Sequence, residues 1–260
     1  MANSSRSRAA ITVGAMSGVT DERARRKTQV AQGYRLFAAY GWGDDGAGHI
    51  TARDPELTDH MWLLAGGIAF RHATPEALVL IGPDGKIADG VGGVGYSGGR
   101  ARDQLGFNVT AYNIHYPIHE ARPDIVAAVH THTAYGTPLA ALVEPLRMVS
   151  QESCGFYGDQ AIYEGEDVDV QEVEGGARIA EALGSNRLIF LANHGMLTVG
   201  TSVPGALGFF YLAERAAEVQ MKAPNARVIS DAAAAATYDG YGHESTGELV
   251  FDYLVASKLD

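Results

Sequence analysis

Cysteine is all but missing from this chain. Cys154 stands alone among 260 residues, so no disulfide can close within the chain, and a reducing, cytoplasmic setting is the expectation. With no histidine beside it in sequence, Cys154 reads as a small buried hydrophobe rather than a nucleophile. Positive charge is also in short supply: 20 Lys and Arg face 31 Asp and Glu, a formal net charge of -11. That balance argues against nucleic acid or an anionic membrane as partner, because both reward basic patches. No apolar run approaches the roughly 20 residues that cross a bilayer. Ala9-Ala10-Ile11-Thr12-Val13 follows arginines but is too short and interrupted for a signal-peptide core. A Walker lysine and an ordered GxGxxG are missing from Gly90 to Gly99, where six of ten residues are glycine, so this stretch reads as a surface loop rather than a phosphate cradle.

What is present fits one compact domain over residues 19–260, preceded by a loose Ser-, Arg- and Ala-rich tail over residues 1–18. Thr20-Asp21-Glu22 opens an amphipathic helix that ends near Gly41. Strand character follows at 49–53, 61–65 and 78–81, separated by Asp54-Pro55 and Gly82-Pro83-Asp84-Gly85. A helix is expected over 103–121, loosened at Pro117 and stopped before Pro123. Further helices are expected at 133–142, 177–183, 204–222 and 244–258, with strands at 146–149, 188–192 and 196–199. Residues 163–174 read as an acidic loop, and Ala232 to Ala236 suits either a helix or a mobile segment.

The chemistry concentrates in histidines. His130-Thr131-His132 ends the apolar run Ile125-Val126-Ala127-Ala128-Val129. Side chains two apart on a strand share a face, so both imidazoles can reach one cation from a rigid edge. His194 follows a second apolar run, Leu188 to Ala192, and precedes Gly195. Three histidines delivered by strand ends make a metal site with an open position for substrate. The pair alone is equally compatible with chance or with hydrogen-bonded core histidines; the third histidine in a matching context favours metal.

Three motifs in order, Gly48-His49-Ile50-Thr51-Ala52-Arg53, Ala121-Arg122-Pro123-Asp124 with His130-Thr131-His132, and Asn193-His194-Gly195, resemble the class II aldolase/adducin head-domain family over roughly residues 20 to 225. The resemblance implies an α/β fold of three layers, α/β/α, with a mainly antiparallel central sheet. It also implies a homotetramer with active sites between subunits. A divalent ion, zinc in the family's sugar aldolases and manganese or iron as alternatives, is implied on His130, His132 and His194. The family's substrate loops fall on His49 and on Gly66-Gly67-Ile68. Its catalytic tyrosine, donated by a neighbouring subunit, falls by spacing on Gln151; Tyr157 is the candidate substitute, with a structural hydroxyl as the alternative.

Two departures accompany these matches. The glutamate that sugar-phosphate aldolases carry one turn before the position of His115 is Ala111 here. The serine pair that helps hold phosphate falls on Val109-Thr110, and a phosphate-loop asparagine falls on His49. Such gaps also resemble a branch holding metal-dependent decarboxylases, an iron oxygenase of aminocoumarin-antibiotic pathways and non-catalytic adducin heads. The expectation is a metal-dependent carbon-carbon lyase, aldolase or decarboxylase, acting through a metal-stabilised enolate on a small non-phosphorylated oxo- or hydroxy-acid. A mononuclear non-haem iron oxygenase and an adducin-like assembly module are the alternatives. Catalytic candidates are His115, which one helical turn beyond Ala111 can stand in as acid or base, and Tyr157. Substrate-binding candidates are His49, Gly66, Gly67, Thr110 and Gln151. Packing remains the alternative for His115, an i, i+4 metal pair with His115 the alternative for His119, and carboxylate clamps a use for Arg53 and Arg122.

Overall fold

The structure is a computed structural model and describes residues 5–43, 45–90 and 106–259, with side chains from residue 18 onward. Eight strands, β1 (Gly48–Arg53), β2 (Met61–Leu64), β3 (Leu78–Ile81), β4 (Ile87–Asp89), β5 (Ala127–Thr131), β6 (Gln160–Tyr163), β7 (Leu188–Leu191) and β8 (Gly195–Gly200), form one sheet in the order β4-β3-β2-β1-β5-β8-β7-β6. Every neighbouring pair is antiparallel except β6 and β7. The helices are α1 (Ser5–Ala39), α2 (Val109–Ala121), α3 (Gly136–Ala141), α4 (Gln151–Cys154), α5 (Val173–Leu183), α6 (Val203–Lys222), α7 (Asp231–Tyr241) and α8 (Glu244–Lys258). Among the described residues, no helix is long and apolar enough to cross a membrane.

Alternation along the central strands sorts side chains into two layers. Ile50, Ala52, Ala127 and Val129 point to one face and pack with Val30 and Phe37 of α1 and with Phe209 and Ala213 of α6. Ala128, Leu197 and Val199 point to the other, against Ile114 and Ile118 of α2 and Ile179 and Leu183 of α5. This is the expected three-layer α/β/α arrangement, and it fixes the side from which the site is built. His49, Thr51 and His130 have the parity of Ala128, so all three face α2.

Two devices hold α2 in place. Asn108 caps it by accepting from Thr110 N at 3.0 Å. Pro117 lies inside the helix without ending it, and having no N–H it offers nothing to Asn113 O. Gly176 of α5 packs against that carbonyl so closely that a Cβ there would lie 1.8 Å from Asn113 O. On the opposite layer, buried Asp54 after β1 accepts from Arg23 of α1 at 2.7 Å and from the Trp62 indole at 2.7 Å, joining the first helix to the sheet.

Several expected boundaries move. Helix α1 starts at Ser5 rather than Thr20, so residues 5–18, read as a loose tail, are helical; Arg and Ala favour helix, and no proline interrupts them. Helix α2 starts at Val109, not at 103; residues 103–105 and the glycine-rich stretch from residue 91 lie outside the described residues. Residues 146–149 are not a strand. There the Gln160 amide takes the place of a ladder, accepting from Leu146 N at 2.8 Å and donating to Leu146 O at 2.9 Å. The strand in this region is β6, whose last residue, Tyr163, is the first of the residues expected to form the acidic loop. Residues 232–236 are helical, within α7.

Candidate metal centre

His130, His132 and His194 converge: one ring nitrogen from each lies within 4.8 Å of the others. Ring centroids are 4.7 Å apart for His130 and His194, 5.0 Å for His132 and His194, and 5.3 Å for His130 and His132. Each comes from a different local device. His130 is set by the ladder, opposite His49 on β1 and Leu197 on β8. His132 lies just past the end of β5 and is exposed. His194 sits in the tight turn from β7 to β8, where Asn193 takes φ 58°, a left-handed conformation that asparagine tolerates. A Cβ on Gly195 would touch His130 and His132 at 3.4 and 3.5 Å, so glycine keeps the space between the rings open.

The donor set fits a divalent ion. His130 Nδ1 is 2.9 Å from Met196 O and so carries the proton, leaving Nε2 bare. His194 Nδ1 is buried with no hydrogen-bond partner among the described residues. Burial first, and then the neighbouring histidines, hold His130 far below the usual histidine range. Burial, with His132 adding, brings His194 down to about 4, and burial lowers His132 as well. All three imidazoles are therefore neutral at pH 7 and ready to donate lone pairs. Directly after His132, buried Glu214 of α6 accepts from Thr133 Oγ1 at 2.6 Å, Gly136 N at 2.8 Å and Tyr135 N at 3.0 Å, pinning the turn that carries the ligand.

Two cavities open beside the triad. One of about 400 Å³ is lined by the three histidines together with His49, Thr110 and Asp169. Another of about 680 Å³ shares Ala47, Gly48, His49, Asn108 and Thr110 with it and extends to Gly66, Gly67 and Phe70. His49, Gly66, Gly67 and Thr110 thus line the space beside the triad. His115 does not. It is wholly buried behind His49, its Nε2 2.8 Å from His49 Nδ1, and it lines neither cavity. Ala111 is buried among Phe107, Tyr112 and the β2–β3 side chains, also away from the cavities. Gln151 and Tyr157 line neither cavity of the single chain.

Arg53 and Arg122 are committed elsewhere. Arg53 Nε donates to Ile125 O at 2.9 Å and its Nη2 to His119 O, while Arg122 pairs with Asp124 at 2.8 Å and donates to Gly184 O. The i, i+4 pair His115 and His119 is joined through Thr51 rather than facing a shared opening. Asn108 and Asp169 are among the cavity residues that sequence reasoning missed. Asn108 was hidden inside an expected helix, and Asp169 in an acidic loop where nothing distinguishes it from its neighbours. Asp169 lines the smaller cavity, and its charge bears on His194.

Comparison with known proteins places this geometry in a family. Residues 28–221 match the family described as Class II Aldolase and Adducin N-terminal domain. The chain is 35% identical over 204 residues to Decarboxylase NovR of Streptomyces niveus, covering 78% of this chain and 71% of that protein. It is also 35% identical over 204 residues to 4-hydroxy-3-prenylphenylpyruvate oxygenase/4-hydroxy-3-prenylbenzoate synthase of Streptomyces roseochromogenus subsp. oscitans, covering 78% of this chain and 69% of that protein. Among solved structures, the L-fuculose 1-phosphate aldolase of Glaciozyma antarctica PI12 superposes with a TM-score of 0.79 at 34% identity, covering 92% of each chain. The chain belongs to the class II aldolase and adducin N-terminal domain family.

Proposed function

We propose that this protein is a metal-dependent carbon-carbon lyase, decarboxylating or cleaving a small non-phosphorylated oxo- or hydroxy-acid. The observation that carries this reading is the neutral triad His130, His132 and His194 opening onto a cavity with His49 in its wall. A divalent ion, zinc by preference and manganese or iron otherwise, held by those three side chains would act as a Lewis acid that polarises a carbonyl and stabilises an enolate.

The chain's own groups do the rest. His49 Nδ1 is engaged by His115, so the ring is fixed and its Nε2, which makes no hydrogen bond among the described residues, is left for the cavity. That nitrogen, held neutral by burial and by the histidines around it, takes or returns the substrate proton. His115 therefore acts through His49 rather than on substrate. Thr110, whose hydroxyl is bonded to Asn108 at 2.7 Å, contributes a fixed polar edge shared by both cavities. With Val109-Thr110 in place of a serine pair and His49 in place of asparagine, the pocket loses phosphate donors, in keeping with a carboxylate substrate. The larger cavity gives the substrate's remaining carbon skeleton a place to lie. Cytoplasmic residence and a homotetramer that brings Gln151 and Tyr157 to a neighbour's site belong to the same proposal; light scattering tests the assembly.

The test is a panel of 2-oxo- and hydroxy-acids offered to protein loaded with Zn²⁺, Mn²⁺ or Fe²⁺, with carbon dioxide and aldehyde products measured. Turnover that requires the metal and disappears in His130→Ala is expected. No metal-dependent product from any member of the panel refutes the lyase reading. One relative carries an oxygenase name at the same identity as the decarboxylase, which supports a second reading; oxygen uptake by the Fe²⁺ form alone would favour it.

A further inference from the structure

Behind His49, buried polar groups continue without a break to the far end of α2. His49 Nδ1 lies 2.8 Å from His115 Nε2, His115 Nδ1 lies 2.8 Å from Thr51 Oγ1, and Thr51 Oγ1 lies 2.9 Å from His119 Nε2. All four side chains are at most 4% exposed. The chain exists because Thr51 stands two residues from His49 on β1 and His119 stands four residues from His115 on α2, so strand period and helix period come into step across one interface.

Counting hydrogens restricts this chain to two neutral forms. A hydroxyl has one hydrogen and two lone pairs, and Thr51 Oγ1 has no third partner among the described residues, so full pairing makes Thr51 donate to one histidine and accept from the other. If Thr51 donates to His119 Nε2, it accepts from His115 Nδ1–H, His115 Nε2 accepts from His49 Nδ1–H, and His49 shows a bare Nε2 to the cavity. If Thr51 donates to His115 Nδ1, each bond reverses and His49 shows Nε2–H. In the first form all three histidines carry the proton on Nδ1, and in the second all three carry it on Nε2.

We infer that His49, His115, Thr51 and His119 form one proton-conducting unit in which the three imidazoles share a tautomer, so that reversal of the chain turns His49 from base to acid toward the cavity. The balance is closed. A substrate proton binds His49 Nε2, the Nδ1 proton of His49 passes to His115 Nε2, that of His115 passes to Thr51 Oγ1, and the Thr51 hydrogen passes to His119 Nε2. Water admitted by local opening at the end of α2 then takes the proton from His119 Nδ1, which is buried in the closed fold. Returning a proton to the substrate runs the same transfers backward, and neither resting form carries charge. Burial supports this by pushing His119 down to about 3, with the Arg53 guanidinium adding to the effect, so a cation is not retained there. Thr51 and His119 are positioning residues, since neither lines a cavity.

This inference rests on the reading of His49 as the group that faces substrate, and two measurements separate the claims. Ring-¹⁵N histidine NMR on the full chain, with and without Zn²⁺, reads tautomers directly and needs no substrate. His49, His115 and His119 are expected to report the same tautomer, and Thr51→Val to uncouple His119 from the other two while Thr51→Ser preserves the pattern. Unlike tautomers in the unaltered protein, or ring signals unmoved by Thr51→Val, would overturn the inference. The second measurement follows deuterium entry from D₂O into the methyl group of pyruvate, a minimal oxo-acid, on the Zn²⁺-loaded protein. Thr51→Val is expected to lower kcat at least about tenfold, with KM and zinc content unchanged and Thr51→Ser restoring the rate. Unaltered kcat in Thr51→Val refutes the relay. Absence of exchange in the unaltered protein counts against the enolate reading instead, and the tautomer measurement still decides the chain.

Discussion

Acid should unfold the metal-free protein through histidines the fold keeps neutral, and His119 allows the size of the effect to be worked out. Its ordinary value of 6.5 falls to about 3 in the folded chain. Above 6.5 both folded and unfolded forms are neutral and the shift contributes nothing. Below 6.5 the unfolded chain binds a proton that the folded chain refuses, so stability falls as pH drops from 6.5 toward 3. Integrating the two titrations gives a loss of about 2 kcal/mol from His119 alone between pH 7 and pH 5. His194, His49, His115 and His130, all lowered chiefly by burial, act in the same direction. The experiment compares urea unfolding, followed by tryptophan fluorescence in the presence of a chelator, for the unaltered chain and His119→Gln at both pH values. Buried Trp62 supplies the signal. His119→Gln should lose about 2 kcal/mol less than the unaltered chain over that interval, whatever its stability at pH 7. Equal losses in the two proteins would refute the reasoning.

Other consequences follow from single contacts. Gly176→Ala drives a methyl group into Asn113 O and should destabilise the α2–α5 interface by about 2 kcal/mol in the same unfolding assay; a neutral result would deny the close approach. Glu214→Ala leaves the donors of Thr133, Tyr135 and Gly136 unmatched, and by loosening the turn after His132 should weaken Zn²⁺ binding about tenfold by calorimetry. Asp54→Ala leaves the Trp62 indole and the Glu56 and Leu57 N–H groups unmatched and Arg23 with Glu56 alone, and should cost about 3 kcal/mol in thermal unfolding without altering Zn²⁺ affinity.

The elements legible in the sequence are those whose pattern is local. The apolar runs of β1, β2, β3, β5 and β7 and the proline-opened α6 stand close to where periodicity puts them. Failures come where a distant side chain settles the outcome. Residues 146–149 have strand-like composition, yet their backbone groups go to distant partners, those of Leu146 to the Gln160 amide, Arg147 N to Gln220 and Met148 O to Ile229 N, which no local pattern announces. The three metal-ligand candidates were visible because each ends an apolar run. The standing of His49 was not, because its pairing opposite His130 and its bond to His115 depend on strand register and on where α2 lands. His115 lies on the α2 layer beside the triad, but buried behind His49 and outside both cavities.

X-ray absorption at the zinc edge, with metal stoichiometry by calorimetry, tests the convergence of His130, His132 and His194 most directly. One zinc per chain with three imidazole ligands is expected, together with loss of binding in His194→Ala. Substoichiometric zinc without imidazole scattering, or undiminished affinity in His194→Ala, would contradict it.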